Sequence, residues 1–251
     1  MKRTAILLYG AFAYVLFLAV FAYMAGFLLN IGVPKAINDG TSGAPMGLAL
    51  SINFALIFLF GFTHSLMARD WFKRGLTRLI SPAAERSTFV LQSSLFLALA
   101  MWQWQPLDMP IWQLEGPWVW IGYAAFGFGA GIVLLSTFLI DHFELFGLRQ
   151  IWMQMRGKEM PVATFRTPML YQMVRHPMQL GVMILVFATP VMTVGHMIFA
   201  CAMTAYIFVG LYFEERALLR EFGSDYAAYK QRVPMLIPNL RGATRVPIPA
   251  E

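Results

Sequence analysis

Two charged clusters interrupt the apolar C-terminal third of the chain. Arg175-His176-Pro177 stands at the entrance to the charge-free stretch 176–213, and Glu214-Glu215 stands at its exit. Ionisable groups at a membrane boundary pair or bind something, because leaving them unpaired there is costly. If the stretch doubles back, both clusters lie at one end of the same hairpin. Such a set can lock onto itself as an ion-pair network. It can equally offer a cation to a carboxylate and an anion to an amine of a bound ligand. Two further sets have the makings of a general base: His64 in Thr63-His64-Ser65-Leu66-Met67-Ala68-Arg69, and Asp141-His142 in Asp141-His142-Phe143-Glu144. A histidine oriented by a carboxylate is the usual form of a base poised near neutral pH. The alternatives are a hydrogen bond from His64 to Ser65 or a loop carbonyl, and pairing of Asp141 and His142 with Arg149 or Arg69. Glu144 is a candidate partner in the background, and His196 reads as structural.

The elements that must position these groups follow from composition. Apolar residues make up 59% of the chain and charged residues 13%, against about a quarter charged in a soluble domain. The charge-free stretches 4–34, 40–68, 87–107 and 116–140 each supply the roughly 20 apolar residues of a membrane helix. The first is too long for a cleaved signal peptide and reads as a retained span. The stretch 176–213 is too long for one helix, and Thr189, Pro190, Thr193 and Gly195 offer a break within it. It is split into a hairpin of two short spans.

Every Lys and Arg except Lys35 then falls on one side, which the positive-inside rule makes the cytoplasm. Both termini are cytoplasmic on this reading, and the number of spans is even. The expected fold is all-α: a polytopic transmembrane helical bundle of about six spans, the last two a short hairpin, with a cytoplasmic helical tail over 214–232. It forms a single domain over 1–251, with a four-span bundle and loop over 4–170 and a hairpin and tail over 171–240. Trp102, Trp104, Trp112, Trp118 and Trp120 crowd the second outer loop and read as an aromatic belt. The pI near 9.6 is explained by topology and anionic membrane lipid, and no nucleic-acid motif is present. Cys201 is the single cysteine, so it forms no intramolecular disulfide.

Over residues 171–238 the pattern resembles the C-terminal cofactor region of the isoprenylcysteine carboxyl methyltransferase and phospholipid methyltransferase superfamily. Tyr171, Arg175, His176, Pro177 and Gly181 match its first motif, and Glu214, Glu215, Tyr226 and Tyr229 its second. The resemblance implies S-adenosyl-L-methionine held between hairpin and tail by these residues. Gln179 stands where the superfamily often has an aromatic residue and Met235 where it often has arginine, which counts against the members that act on large substrates. The segment Asp141–His142–Phe143–Glu144–Leu145–Phe146–Gly147–Leu148, with the His64 stretch, is similar to the bacterial methanethiol S-methyltransferases. A sister family found near denitrification genes shares the His-Ser-x-x-Ala-Arg part.

That resemblance implies methylation of a small thiol to give dimethyl sulfide, in the bacterial inner membrane, with no metal. Methyl transfer needs alignment and exclusion of water rather than a covalent enzyme intermediate. The thiolate is the nucleophile, so His64, Asp141 and His142 are the expected catalytic residues. Two alternatives remain open: another lipophilic acceptor such as an isoprenoid or phospholipid, and a membrane haem protein ligated by His64, His142 or His176.

Overall fold

The computed structural model describes residues 2–40, 42–162 and 164–238; Arg241 and Arg245, counted above with the basic tail, lie outside them. The chain runs α1 (Lys2–Leu29), α2 (Met46–Met67), α3 (Asp70–Leu76), α4 (Glu85–Gln103), β1 (Pro110–Gln113), α5 (Val119–Ile140), α6 (His142–Leu145), α7 (Leu148–Met155), α8 (Leu170–Met173), α9 (Pro177–Phe187), β2 (Val191–Thr193) and α10 (Val194–Arg232).

It is a helical membrane protein. Four helices, α1, α2, α5 and α10, are long and apolar enough to cross a bilayer. The expected count of about six therefore meets four long helices and two lesser ones. α4 carries Glu85, Arg86, Gln92 and Gln103 among its 19 residues, which dilutes its apolarity. α9 has 11 residues, about 16 Å at 1.5 Å per residue, roughly half of a 30 Å hydrocarbon core.

The short α9 lies along α5, the most extensive helix pairing in the bundle. Glycine makes this approach possible: a Cβ at Gly181 would sit 2.7 Å from the Gly129 carbonyl oxygen, and one at Gly129 would sit 2.9 Å from that of Gly181. α4 packs between α1 and α2, and α10 touches α2 and α9. The core holds Phe27, Leu28, Met101, Leu185 and Phe199. Trp104 also belongs there with no exposed surface, edge-on to Phe199. It is a core residue rather than part of the aromatic belt, whereas Trp102, Trp118 and Trp120 are exposed as a belt requires.

The break within 176–213 is where proline and glycine placed it. α9 stops at Phe187, β2 pairs antiparallel with β1, and α10 starts at Val194 with the Thr193 hydroxyl accepting from the His196 N–H. His196 is fully buried, its Nε2 2.9 Å from the Val186 carbonyl. One expectation needs correcting. The tail helix does not start afresh at Glu214, because α10 continues without interruption to Gly223, where φ is 52° and ψ −121°. Glycine adopts that conformation without a Cβ clash, and the kink directs Tyr226 and Tyr229 back into the protein, where both are buried.

Candidate active site

The hairpin and tail are clasped by one ionic network, buried at Arg175, His176 and Glu215 and open to solvent at Lys230. Arg175 donates from Nε to Glu215 Oε1 at 2.7 Å and from Nη2 to the same oxygen at 2.6 Å. It also donates to the Lys230 carbonyl at 3.1 Å and the Val233 carbonyl at 2.5 Å. Lys230 Nζ reaches Glu215 Oε2 at 2.6 Å, and His176 Nε2 lies 3.3 Å from Oε1. The extended segment after α10 closes the clasp: the Arg175 and His176 amides donate to the Pro234 and Met235 carbonyls. Burial lowers the His176 pKa, with Glu215 opposing the shift. Arg175 and Glu215 thus satisfy each other. The ion-pair reading applies to them, and neither offers a free charge to a ligand.

Glu214 is different. Its side chain is 46% exposed, and its neighbours are Gln179 Nε2 at 3.1 Å and His176 Nδ1 at 3.9 Å. Gln179, the departure from the family pattern, is therefore the residue that orients this carboxylate. Glu214 ends a row of four-residue steps along α10: Tyr206, Gly210, Glu214. Residues spaced this way form one ridge of a helix. A Cβ built on Gly210 would meet nothing within 4 Å, so the ridge has a gap at its middle. The two ends are about 12 Å apart along the axis at 1.5 Å per residue.

At the other end of that gap stands His64. Its Nδ1 is 2.8 Å from the Tyr206 hydroxyl, which also accepts from Ser65 Oγ at 3.3 Å. Tyr206 is pressed onto α2, where a Cβ at Gly61 would lie 2.8 Å from its ring. The rings of Phe89 and Phe60 flank the imidazole at 4.6 and 5.6 Å. His64 Nε2 makes no hydrogen bond among the described residues, so one ring nitrogen stays available in an aromatic setting.

His142 has neither nitrogen available. Thr137 Oγ1 donates to the Leu134 carbonyl and accepts from His142 Nδ1 at 2.8 Å. The Nε2 lone pair is left to the Tyr14 hydroxyl at 2.7 Å. The ring stacks on Phe138 at 4.3 Å and is buried, which lowers its pKa against the opposing charge of Asp141. Asp141 does not orient it. That carboxylate pairs with Arg149 and accepts from the Glu144 amide at 2.9 Å. The two residues are neighbours in sequence and belong to separate networks. With both nitrogens of His142 engaged, it has no bond to give a haem iron.

The remaining motif residues serve the clasp. The Tyr229 hydroxyl donates to the Tyr171 carbonyl at 2.5 Å, and the Tyr171 hydroxyl to Ser136 at 3.5 Å. Tyr226 and Tyr229 pack on Phe165, and the buried Tyr226 hydroxyl has no partner among the described residues. Pro177 opens α9, where its fixed φ suits a first helical position, and Gly181 packs on α5. Sequence reasoning missed Tyr206, Gly210 and Arg86, whose guanidinium lies over the Phe89 ring beside His64. For the first two the four-residue spacing back from Glu214 was the available signal.

No family model matches the chain, and no solved structure matches it. Curated relatives do. It is 48% identical over 238 residues to methanethiol S-methyltransferase 2 of Bradyrhizobium diazoefficiens, covering 95% of this chain and 92% of the relative. It is 44% identical over 239 residues to methanethiol S-methyltransferase of Mycobacterium tuberculosis, covering 95% of this chain and 98% of that one. Identity at this level along nearly the whole of both partners places the chain plainly: it belongs to the methanethiol S-methyltransferase family.

Proposed function

We propose that this protein methylates methanethiol to dimethyl sulfide with S-adenosyl-L-methionine as donor, at the cytoplasmic side of a bacterial inner membrane. The observation that carries the reading is the open row on α10, with a histidine nitrogen available at one end and a half-exposed carboxylate at the other. The donor's chemistry fits these groups. Its ammonium suits Glu214, the orphan hydroxyl of Tyr226 suits a polar atom of its nucleoside, and its length suits a gap of about 12 Å. When bound, it supplies an electrophilic methyl group on a sulfonium.

The chain's own residues then have three tasks. Glu214, oriented by Gln179 and His176, fixes one end of the donor. Phe60, Phe89 and Tyr206 enclose a small apolar thiol beside His64 and exclude water, which strengthens every charge interaction there. His64 takes the thiol proton at Nε2. That requires its Nδ1–H to point at the Tyr206 oxygen, which already accepts from Ser65. The thiolate so formed is the nucleophile. Asp141 and His142 hold α5, α6 and α1 together and take no part in the chemistry.

The topology proposed with this has six crossings and cytoplasmic termini, α4 and the short α9 completing the set. The distribution of basic residues supports it, since Lys35 alone stands in the loops of the opposite end.

Purified protein given methyl-labelled donor and methanethiol should release labelled dimethyl sulfide, and Glu214→Gln should bind the donor weakly while remaining folded. Full donor affinity in Glu214→Gln would move the site elsewhere. Faster turnover of a prenylated thiol than of methanethiol would refute the acceptor.

A further inference from the structure

We propose that Arg86, in the first turn of α4, grips the carboxylate of the donor's amino-acid end. The inference rests on the function proposed above. Arg175, the cation that the sequence pattern offers for this task, has its donors on Glu215 and two carbonyls, so another cation must do it. An α-amino acid carries ammonium and carboxylate on one carbon. The cation that receives the carboxylate must therefore stand close to Glu214 without closing onto it.

Arg86 stands one turn before Phe89 on α4, toward the basic end of the bundle that Glu214 also occupies. Its Nε donates to the Leu145 carbonyl at 2.6 Å, and its guanidinium lies 4.9 Å from the centre of the Phe89 ring. That ring is the one that contacts His64. Among the described residues no carboxylate comes within ion-pair range of Arg86. A largely enclosed cation without a counter-ion is costly, so a site that holds one open implies an anion arriving from outside. The guanidinium fork suits a carboxylate, and with Nε anchored, its terminal nitrogens keep donors for two parallel bonds. Arg69 is the other cation near the gap, but its guanidinium lies over the Phe213 ring at 3.8 Å and makes no hydrogen bond to backbone among the described residues.

The test compares two ligands by calorimetry in detergent: S-adenosylhomocysteine and its decarboxylated analogue, which keeps the amine. Wild type should prefer the carboxylated ligand by about tenfold or more, the range of a charge-assisted pair. Arg86→Met should lose that preference, binding the two within about twofold of each other, and Arg86→Lys should keep part of it. Retention of the full wild-type preference in Arg86→Met, or equal binding of both ligands by wild type, overturns the proposal. Should Arg86→Met fail to fold, an undiminished preference in Arg86→Lys overturns it, because Lys cannot reproduce the two-pronged bond. Glu214→Gln in the same series separates the two readings: loss of S-adenosylhomocysteine binding there, with Arg86→Met unchanged in preference, defeats this inference alone. Wild type that binds neither ligand defeats both.

Discussion

At the basic end of the bundle two histidines touch rings of one buried aromatic cluster, and they are held in opposite ways. His142 gives each ring nitrogen to a hydroxyl, Thr137 on one side and Tyr14 on the other, and stacks flat on Phe138. His64 gives one nitrogen to Tyr206 and keeps the other. Both residues sit beside a Ser, Thr or Asp in the sequence, and both lie where an apolar helix ends. What separates them is the number of partners that tertiary packing brings to the ring. A base must have a lone pair that a substrate proton can reach. A fully bonded imidazole serves instead as a strut, here joining α1, α5 and α6. The same contrast divides the two glutamates: Glu215 is saturated by Arg175, Lys230 and His176, and adjacent Glu214 faces the gap.

The sharpest way to break this comparison is to remove both rings in turn. His64→Ala should lower kcat by about 10²–10⁴-fold, the usual contribution of general acid–base catalysis, and leave donor binding intact. Its defect should shrink as pH approaches the thiol's own pKa, because free thiolate needs no base. His142→Ala should leave the kcat of the folded fraction within about threefold of wild type and reduce stability instead. It leaves the Tyr14 hydroxyl without its partner, a loss of about 1–3 kcal/mol. Steady-state kinetics from pH 6 to 9 and thermal unfolding in detergent measure both. A large rate loss in His142→Ala with unchanged stability would exchange the roles of the two residues.

A second prediction tests the gap between the ends of the row. Leucine is a good helix former, and a Cβ at Gly210 meets nothing, so Gly210→Leu should fold as wild type does. Its side chain would fill the space between Tyr206 and Glu214. Displacing a reactant by about 1 Å can cost about 10²-fold in rate, and a loss of that size is expected, with weaker binding of S-adenosylhomocysteine. Unaltered turnover would mean that the gap faces lipid.

Part of this was legible before any coordinates. The uncharged runs mark α1, α2 and α5, and Thr189-Pro190 marks the break before α10, because apolar length and helix-breaking residues act locally. The meeting of Arg175 with Glu215 followed from their places at one end of a hairpin. Where reading stopped, the deciding quantity was a partner distant in sequence. Trp104 looks like its exposed neighbours Trp102 and Trp118, and Phe199 makes it core. Gly181 sits in a motif that suggests a ligand, and the backbone of α5 accounts for it. Asp141 and His142 are adjacent, yet Arg149 draws one away and Tyr14 and Thr137 hold the other. Spacing lists the groups available to a site and leaves open which of them neutralise one another.

The smallest expected effect concerns acid stability. Burial is the main cause that lowers the His142 pKa below its ordinary 6.5, and Asp141 only partly opposes it. A histidine whose folded pKa is depressed takes up its proton more readily when unfolded. Above about pH 6.5 both states are neutral there and the residue adds no pH dependence. As pH falls below that value the unfolded state binds a proton the folded state does not, so stability declines. The decline ends only below the depressed folded pKa, where both states are protonated. His142→Asn removes the titration and can keep one hydrogen bond. Its thermal midpoint should start lower than wild type at pH 8 and fall less steeply between about pH 6.5 and 5. A residual slope should remain, because His176 is also depressed by burial. If His142→Asn and wild type lost stability in parallel over that range, the His142 ring would not be buried in its neutral form. The contrast with His64 would then rest on hydrogen bonds alone.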